Sequence, residues 1–154
     1  MANSPAAAQH DDDVLRDSFE LGFTYTRSTG PIIGAFLTGL RDGKIVGIKG
    51  SNGKVICPPT EYDPHTAEEL TELVDLPSTG TVTTWSWISQ PHPKHVLTKP
   101  FAWALIKIDG ADTAMLHKVD AGSEANMKTG MKVKVRWAAD RRGFMTDIEC
   151  FEPA

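Results

Sequence analysis

The sequence predicts a mainly β fold, a five-stranded Greek-key barrel of the OB type preceded by an N-terminal helix and a hairpin. The C-terminal half divides into five short runs of strand-forming residues, the fourth of which alternates strictly between apolar and basic side chains. A long polar loop follows the first run, and a stretch with room for only a turn or short helix precedes the fourth. A β-sandwich would require about seven strands. The predicted strands cover residues 80–89, 101–108, 113–119, 131–137 and 145–151.

The first predicted strand is rich in β-branched and aromatic residues, with Val82 on one face and Trp85 and Trp87 on the other. The second is a nearly continuous apolar run, which predicts burial on both of its faces. The Asp-Gly pair at 109–110 is typical of a tight turn, so the second and third strands should form a hairpin. Trp85, Trp87 and Trp103 are either core or interface aromatics or a platform on which a flat ring stacks.

An amphipathic helix of about three turns is predicted between Ser28 and Gly43. Ser28 or Thr29 can cap its start, a Gly-Pro pair occupies its first turn, and Gly43 permits a left-handed end. The apolar face of this helix lines either the domain's own core or the surface of a partner subunit, and both alternatives are open. Its apolar residues are Ile32, Ile33, Phe36, Leu37 and Leu40.

The predicted domain organisation has three parts. Residues 1–27 form a disordered or extended leader, because the first 13 are small, polar or acidic; residues 14–25 are expected to pack extended along the domain. Residues 28–76 hold the helix and a hairpin that turns through an Asn-Gly pair. Residues 77–154 form the barrel.

Composition argues against several classes of function. The chain has 16 basic and 20 acidic residues, so it lacks the cationic excess that binds the phosphate backbone of nucleic acid. Cys57 and Cys150 lie far apart without metal-ligand spacing, which favours a reduced, cytoplasmic setting. The sequence shows neither a signal-peptide pattern nor an apolar run of about 18 residues, which predicts neither export nor a membrane span.

The order of these parts resembles a known family. A helix ending in Asp-Gly is followed by Gly-Lys-Val-Ile-Cys-Pro-Pro at 53–59, then by a barrel that opens with Gly-Thr-Val at 80–82 and closes through Thr-Gly-Met-Lys-Val at 129–133. This arrangement is similar to the zinc-ribbon plus OB-fold family, a domain-of-unknown-function family that accompanies thiolase-like acyl-CoA enzymes. The resemblance covers about residues 28–152.

The family's ribbon binds zinc through two Cys-x-x-Cys pairs, one before the Gly-Lys turn and one after the Pro-Pro. Thiolate ligands would hold a structural zinc here, and Cys57, Asp63 and His65 lack the paired geometry of a four-ligand site. We therefore expect a degenerate ribbon that keeps its hairpin and binds no metal. The positions that match the four cysteines are Lys49, Asn52, and, near the second pair, Asp63 and Thr66.

The resemblance also implies a function. Members of the family are typically non-catalytic subunits beside thiolases or aldolases, and some accompany hot-dog-fold enoyl-CoA hydratases in steroid side-chain degradation. The resemblance implies that this chain is an accessory subunit of a hetero-oligomer and assists acyl-CoA binding. The coenzyme A thioester would be the substrate of the complex, and no cofactor would be tightly bound. The candidate partner contacts are Ile33, Phe36, Leu37, Leu40, Trp85 and Trp87.

Two functions from other classes remain as alternatives. One is a free-standing OB module that binds single-stranded nucleic acid, which the acidic balance disfavours. The other is an independent hydrolase that uses His95, which is the least favoured. The sequence contains no Gly-x-Ser-x-Gly, no His-Glu-x-x-His and no recognised Gly-rich phosphate loop, so a non-catalytic role is preferred.

Two groups of polar residues could contact a ligand. His92, Lys94 and His95 lie in a proline-rich loop and form either a general base with a phosphate contact or a solvated loop shaped by its prolines. Arg141 and Arg142 are either part of a hairpin turn or a clamp for the phosphates of coenzyme A. The candidate ligand-binding residues are Lys94, His95, Lys99, Arg141 and Arg142.

Overall fold

The computed structural model describes residues 19–26, 28–95 and 97–154. Most of the predicted leader, residues 1–18, lies outside the described residues. The described residues form one α-helix, two short 3₁₀ turns and eight strands, which confirms the mainly β class. The elements are α1 (Pro31–Arg41), β1 (Ile45–Lys49), β2 (Val55–Ile56), β3 (Leu73–Leu76), β4 (Thr79–Ile88), β5 (Phe101–Ile108), β6 (Ala114–Val119), β7 (Lys132–Trp137) and β8 (Ile148–Pro153), with 3₁₀ turns at Glu124–Asn126 and Met145–Asp147.

Strands β4 to β8 close into a barrel in the order β4-β5-β6-β8-β7, and β7 pairs back onto β4. All neighbouring pairs are antiparallel except β6 and β8, which run parallel where Val119 meets Phe151. This is the predicted five-stranded Greek-key barrel.

The last strand begins three residues later than predicted. The Asp147 carboxylate accepts hydrogen bonds from the backbone N–H groups of Arg142 (3.1 Å), Gly143 (2.7 Å) and Phe144 (3.2 Å). These bonds hold Met145–Asp147 in a 3₁₀ turn, so the extended conformation starts only at Ile148.

A β-bulge in β4 reverses the predicted faces of that strand. Val82 lies opposite Ile106 and Thr84 lies opposite Leu105, so Thr83 is an extra residue on β4. Beyond the bulge, Trp85 and Trp87 lie on the same face as Val82, and both are half-buried against the core. The prediction that they point away from Val82 is therefore wrong.

Strand β5 alternates along its second half, although the sequence predicted burial on both faces. Ala104, Ile106 and Ile108 are buried, whereas Leu105 is 38% exposed and Lys107 is exposed. The reason is that this face of the β5–β6 pair is open to solvent: Leu116, the cross-strand partner of Leu105, is 60% exposed.

The helix packs into the same core as the barrel. Phe36 (3% exposed) and Leu40 (0%) share one apolar cluster with barrel residues such as Val82 and Ile106. These two side chains therefore line the domain's own core, and their assignment as partner contacts is withdrawn. Gly43, with φ of 75°, ends the helix as predicted.

The start of α1 is capped by a residue distant in sequence. The Glu61 carboxylate accepts hydrogen bonds from the backbone N–H groups of Ile32 (3.1 Å) and Ile33 (3.0 Å). Neither Ser28 nor Thr29 provides the predicted side-chain cap. A carboxylate also suits the positive end of the helix dipole.

The predicted hairpin pairs β1 with β2, and its turn closes through a hydrogen bond from the Gly50 N–H to the Lys54 carbonyl (2.8 Å). The sequence missed β3, which pairs with the other edge of β1 and completes a three-stranded sheet. At four residues, β3 is too short for its alternation to stand out. None of the described helices has the length and apolarity to cross a bilayer.

Candidate functional site

The barrel carries a mainly apolar pocket of about 400 Å³ over the open face of β5 and β6. Its walls come from β5, β6, the proline-rich loop that joins β4 to β5, and the turn before β8. OB folds commonly bind ligands on this face, between the equivalent loops. We call it the barrel-face pocket; its lining residues are Lys94, His95, Trp103, Leu116, His117, Lys118, Met145 and Thr146.

Strand pairing positions the apolar wall of the pocket. Trp103 on β5 lies directly opposite Lys118 on β6, and Leu105 lies opposite Leu116. Trp103 is half-buried because the His95 ring packs edge-on against it at 6.2 Å. The sequence identified Trp103 as a stacking candidate, but it gave no sign that Leu116 would be exposed.

His117 is 5% exposed and lines the pocket. Its Nε2 lies 3.4 Å from the Met145 carbonyl oxygen, which can only accept, so Nε2 donates. Burial lowers the pKa of His117 to about 4, and the ring is therefore neutral at pH 7. In the neutral ring Nδ1 is an acceptor, and among the described residues it has no hydrogen-bond partner.

Lys118 is also only 5% exposed and lines the same pocket. Burial lowers the pKa of its ammonium group. Within the described ranges no carboxylate oxygen lies within 4.0 Å of its nitrogen. The charge of Glu149 acts in the opposite direction and raises the pKa of Lys118, but Glu149 is itself paired with Arg136 at 3.5 Å.

The two loop histidines support the loop rather than present a base. His92 Nδ1 accepts a hydrogen bond from the Lys94 N–H (3.2 Å), and His95 Nδ1 accepts one from the His92 N–H (3.3 Å). The His95 ring also packs edge-on against Phe101 at 5.4 Å. Neither histidine forms an ion pair with a carboxylate in the part of the chain that the structure describes. These contacts favour the solvated-loop alternative.

The five predicted ligand-binding residues do not come together at one site. Lys94 and His95 line the barrel-face pocket, whereas Lys99 lines a separate, more polar pocket of about 260 Å³. Arg141 donates to the carbonyl oxygens of Arg41 (2.9 Å) and Ala138 (3.1 Å). Its neighbour Arg142 donates from Nε to Asp140 (2.9 Å). Both guanidinium groups are engaged, which favours the turn over a phosphate clamp.

The pocket beside Lys99 contains an ion cluster that sequence reasoning missed. Arg136 donates to Asp120 (3.0 Å), Glu152 (3.1 Å) and, at 3.5 Å, Glu149. The sequence placed Arg136 on the polar face of its strand, but Asp120 and Glu149 lie on other elements. Only the barrel's strand order brings these charges together.

A buried carboxylate holds together the segment predicted to be a degenerate ribbon. Asp63 is 3% exposed and accepts hydrogen bonds from the backbone N–H groups of Ser51 (2.8 Å), His65 (2.8 Å) and Thr66 (3.2 Å). These bonds, first from Ser51 and then from His65, lower the pKa of Asp63 to about 2. The hairpin turn at Ser51 and the loop at 63–66 are thus joined through the Asp63 side chain.

The residues at the four ligand positions do not fit a structural zinc. Lys49 pairs with Glu72 at 3.0 Å, and the two cysteines of the chain lie elsewhere as free, buried thiols. Burial raises the pKa of Cys57 to about 12 and that of Cys150 to about 11, which disfavours the thiolate that metal binding needs. No group of three or more His, Cys, Asp and Glu side chains is arranged to hold a metal ion in the described ranges.

The predicted partner contacts are mostly used within the chain. Phe36 and Leu40 are buried, Leu37 is half-buried, and Trp85 and Trp87 line the inside of the barrel. On α1, Ile33 is 37% exposed and stays available.

Sequence reasoning missed a larger apolar surface near the N-terminus. Residues 19–25 were expected to pack along the domain, but they form no strand, and their large side chains stand in solvent. The alternation of apolar side chains at every second position was visible in the sequence and was the signal for an exposed extended segment. The exposed fractions are 85% for Phe19, 65% for Leu21, 77% for Phe23 and 80% for Tyr25. We call residues 19–25 the apolar segment.

Comparison with known proteins confirms the family resemblance. Residues 73–138 match the family model for the C-terminal OB-fold domain of ChsH2. A Sulfolobus solfataricus protein of unknown function from the DUF35 family is 27% identical, with a TM-score of 0.57 over 70% of this chain and 78% of that chain. The Ltp2-ChsH2(DUF35) aldolase shares the fold at 21% identity, with a TM-score of 0.56 over 82% of this chain and 98% of that chain. No curated protein matches.

Proposed function

We propose that this chain is a non-catalytic accessory subunit that docks on a thiolase-like aldolase or thiolase and assists the binding of its acyl-CoA substrate. The match to the ChsH2 OB-fold domain and the fold shared with the Ltp2-ChsH2(DUF35) aldolase support a partner of this kind. The observation that carries the proposal is the apolar segment, whose four large side chains are 65–85% exposed.

The apolar segment has the chemistry of a docking element. Its large side chains occupy every second position of the sequence, and the barrel closes without them. Large aromatic residues that stay exposed on a folded chain often mark a protein interface. Truncating one buried interface anchor typically costs about 2 kcal/mol, which weakens binding about 30-fold.

The substrate is the finer part of the proposal. The coenzyme A thioester is the substrate of the complex, and a steroid-derived acyl group is the one that the family resemblance implies. Lys94 and His95 lie at the barrel-face pocket and are the candidate contacts of this chain. A hot-dog-fold hydratase is a second candidate partner of the same assembly.

Co-expression with a thiolase-like enzyme encoded in the same genome, followed by size-exclusion chromatography, tests docking. We expect the two chains to co-elute as a two-plus-two assembly. Replacing Phe19 and Phe23 with serine should weaken or abolish co-elution. Phe144→Ser is the matched control, because Phe144 is 61% exposed but lies in the loop before β8, and it should leave the complex intact.

Two results would contradict the proposal. The chains could elute independently at micromolar concentration, with enzyme activity unchanged by the absence of this one. Alternatively, the isolated chain could bind single-stranded nucleic acid with an affinity that falls steeply with added salt, which would favour the OB module instead.

A further inference from the structure

The barrel-face pocket combines an apolar wall with the cationic side chain of Lys118. Trp103, Leu116 and Met145 supply the apolar surface, and Lys118 lines the same space while only 5% exposed. A volume of about 400 Å³ falls within the range of small-molecule sites, about 300–1,000 Å³. The pocket therefore has the size and surface of a ligand site.

Lys118 has no carboxylate partner among the described residues, although the residue as a whole is only 5% exposed. In the described parts of the chain no carboxylate approaches its nitrogen within 4.0 Å, and Glu149 is occupied by Arg136. By contrast, Lys132 on β7 is exposed and has a partner, Asp109, at 3.0 Å. Desolvation of an unpaired ammonium group is unfavourable and lowers the pKa of Lys118, so an anion in the pocket would relieve this cost.

We propose that the barrel-face pocket binds a small apolar carboxylate, with the ligand's ring or chain against Trp103, Leu116 and Met145 and its carboxylate on Lys118. This goes beyond the proposed function, because the free acid is a second ligand for the pocket that Lys94 and His95 also line, and the acyl end of a coenzyme A thioester carries no charge. The ligand is a free acid with a compact apolar body. The site belongs to this chain alone and needs no partner subunit.

The contribution of the ligand's negative charge to its affinity can be measured without changing the protein. We choose 2-naphthoate as the probe and 2-naphthamide as its neutral counterpart of nearly the same shape, both titrated into the isolated full chain by calorimetry at pH 7. A hydrogen bond to a charged group is worth enough to change affinity about 10- to 100-fold. We expect the acid to bind at least about 10-fold more tightly than the amide.

The Lys118→Met variant then assigns that difference to one residue. It keeps the length and apolar stem of the side chain and removes the ammonium, so it should bind 2-naphthoate about as weakly as 2-naphthamide. Lys107→Met is the control, because Lys107 lies exposed on β5 outside the pocket, and it should bind the acid like the original chain. Circular dichroism confirms that each variant is folded.

The inference is overturned if acid and amide bind the original chain equally, if neither binds at millimolar concentration, or if folded Lys118→Met retains the preference for the acid. Should Lys118→Met fail to fold, the comparison of acid with amide on the original chain still decides the matter. Failure here would leave docking through the apolar segment unaffected, since the titration uses the chain without its partner.

Discussion

Replacing Leu40 with alanine separates the two roles that the sequence left open for the helix. Leu40 is 0% exposed and belongs to the core that α1 shares with the barrel. Leucine-to-alanine changes at such sites cost about 3 to 5 kcal/mol, because the lost contacts leave a cavity. For a domain of this size each kcal/mol corresponds to about 2–4 °C, so the Tm should fall by about 6–20 °C.

The matched control is Ile33→Ala on the same helix. Ile33 is 37% exposed, so its truncation should cost less than about 1 kcal/mol. Both variants are measured in the isolated chain by thermal unfolding followed with circular dichroism. If Leu40→Ala unfolds at the same temperature as Ile33→Ala and instead abolishes partner binding, the helix face is an interface and the reasoning is refuted.

Four further predictions concern Asp63, His117, the zinc content and the two loop histidines. Asp63→Asn should lower the Tm at pH 7 and make little difference near pH 2, because the Asp63 pKa of about 2 lies below its ordinary 3.8 and the stabilisation is lost as pH falls through that interval. The His117 pKa of about 4 lies below 6.5, so the unfolded chain binds the proton first. The free energy of unfolding should therefore decrease between pH 6.5 and 4, and His117→Gln should flatten this slope in urea titrations. Elemental analysis should find no stoichiometric zinc, and a chelator should leave the Tm unchanged; about one zinc per chain would contradict the ribbon assignment. Replacing His92 and His95 with alanine should keep the rate of a reconstituted complex within a few-fold, whereas loss of a general base would cost about 10² to 10⁴.

The barrel could be predicted because its signals are local. Strict alternation marks β7, and an Asp-Gly turn joins β5 to β6, so each element is visible within its own few residues. The bulge at Thr83 was not visible, because it depends on how β4 pairs with β5. Likewise, the Met145–Asp147 turn needs the Asp147 carboxylate to reach three backbone N–H groups, which composition does not reveal.

The candidate site was predictable only in part. His95 and Lys94 were named from the loop that carries them, and they do line the barrel-face pocket. Lys118 was not selected, since a lysine in an alternating strand is expected to face solvent. It lies opposite Trp103 in the strand pairing and lines one pocket with residues of the β4–β5 loop, and this arrangement of distant segments is not visible in the sequence.

The extra residue at Thr83 also determines which length changes β4 can tolerate. Deleting that one residue would restore regular pairing with β5 and move every later side chain of β4 to the opposite face of the strand. Trp85 and Trp87 would then point into solvent, and the core would lose the packing of two large side chains. Such a chain would present adjacent exposed aromatics and tend to aggregate. Insertions and deletions should therefore be confined to the loops, whereas β4 should keep its length.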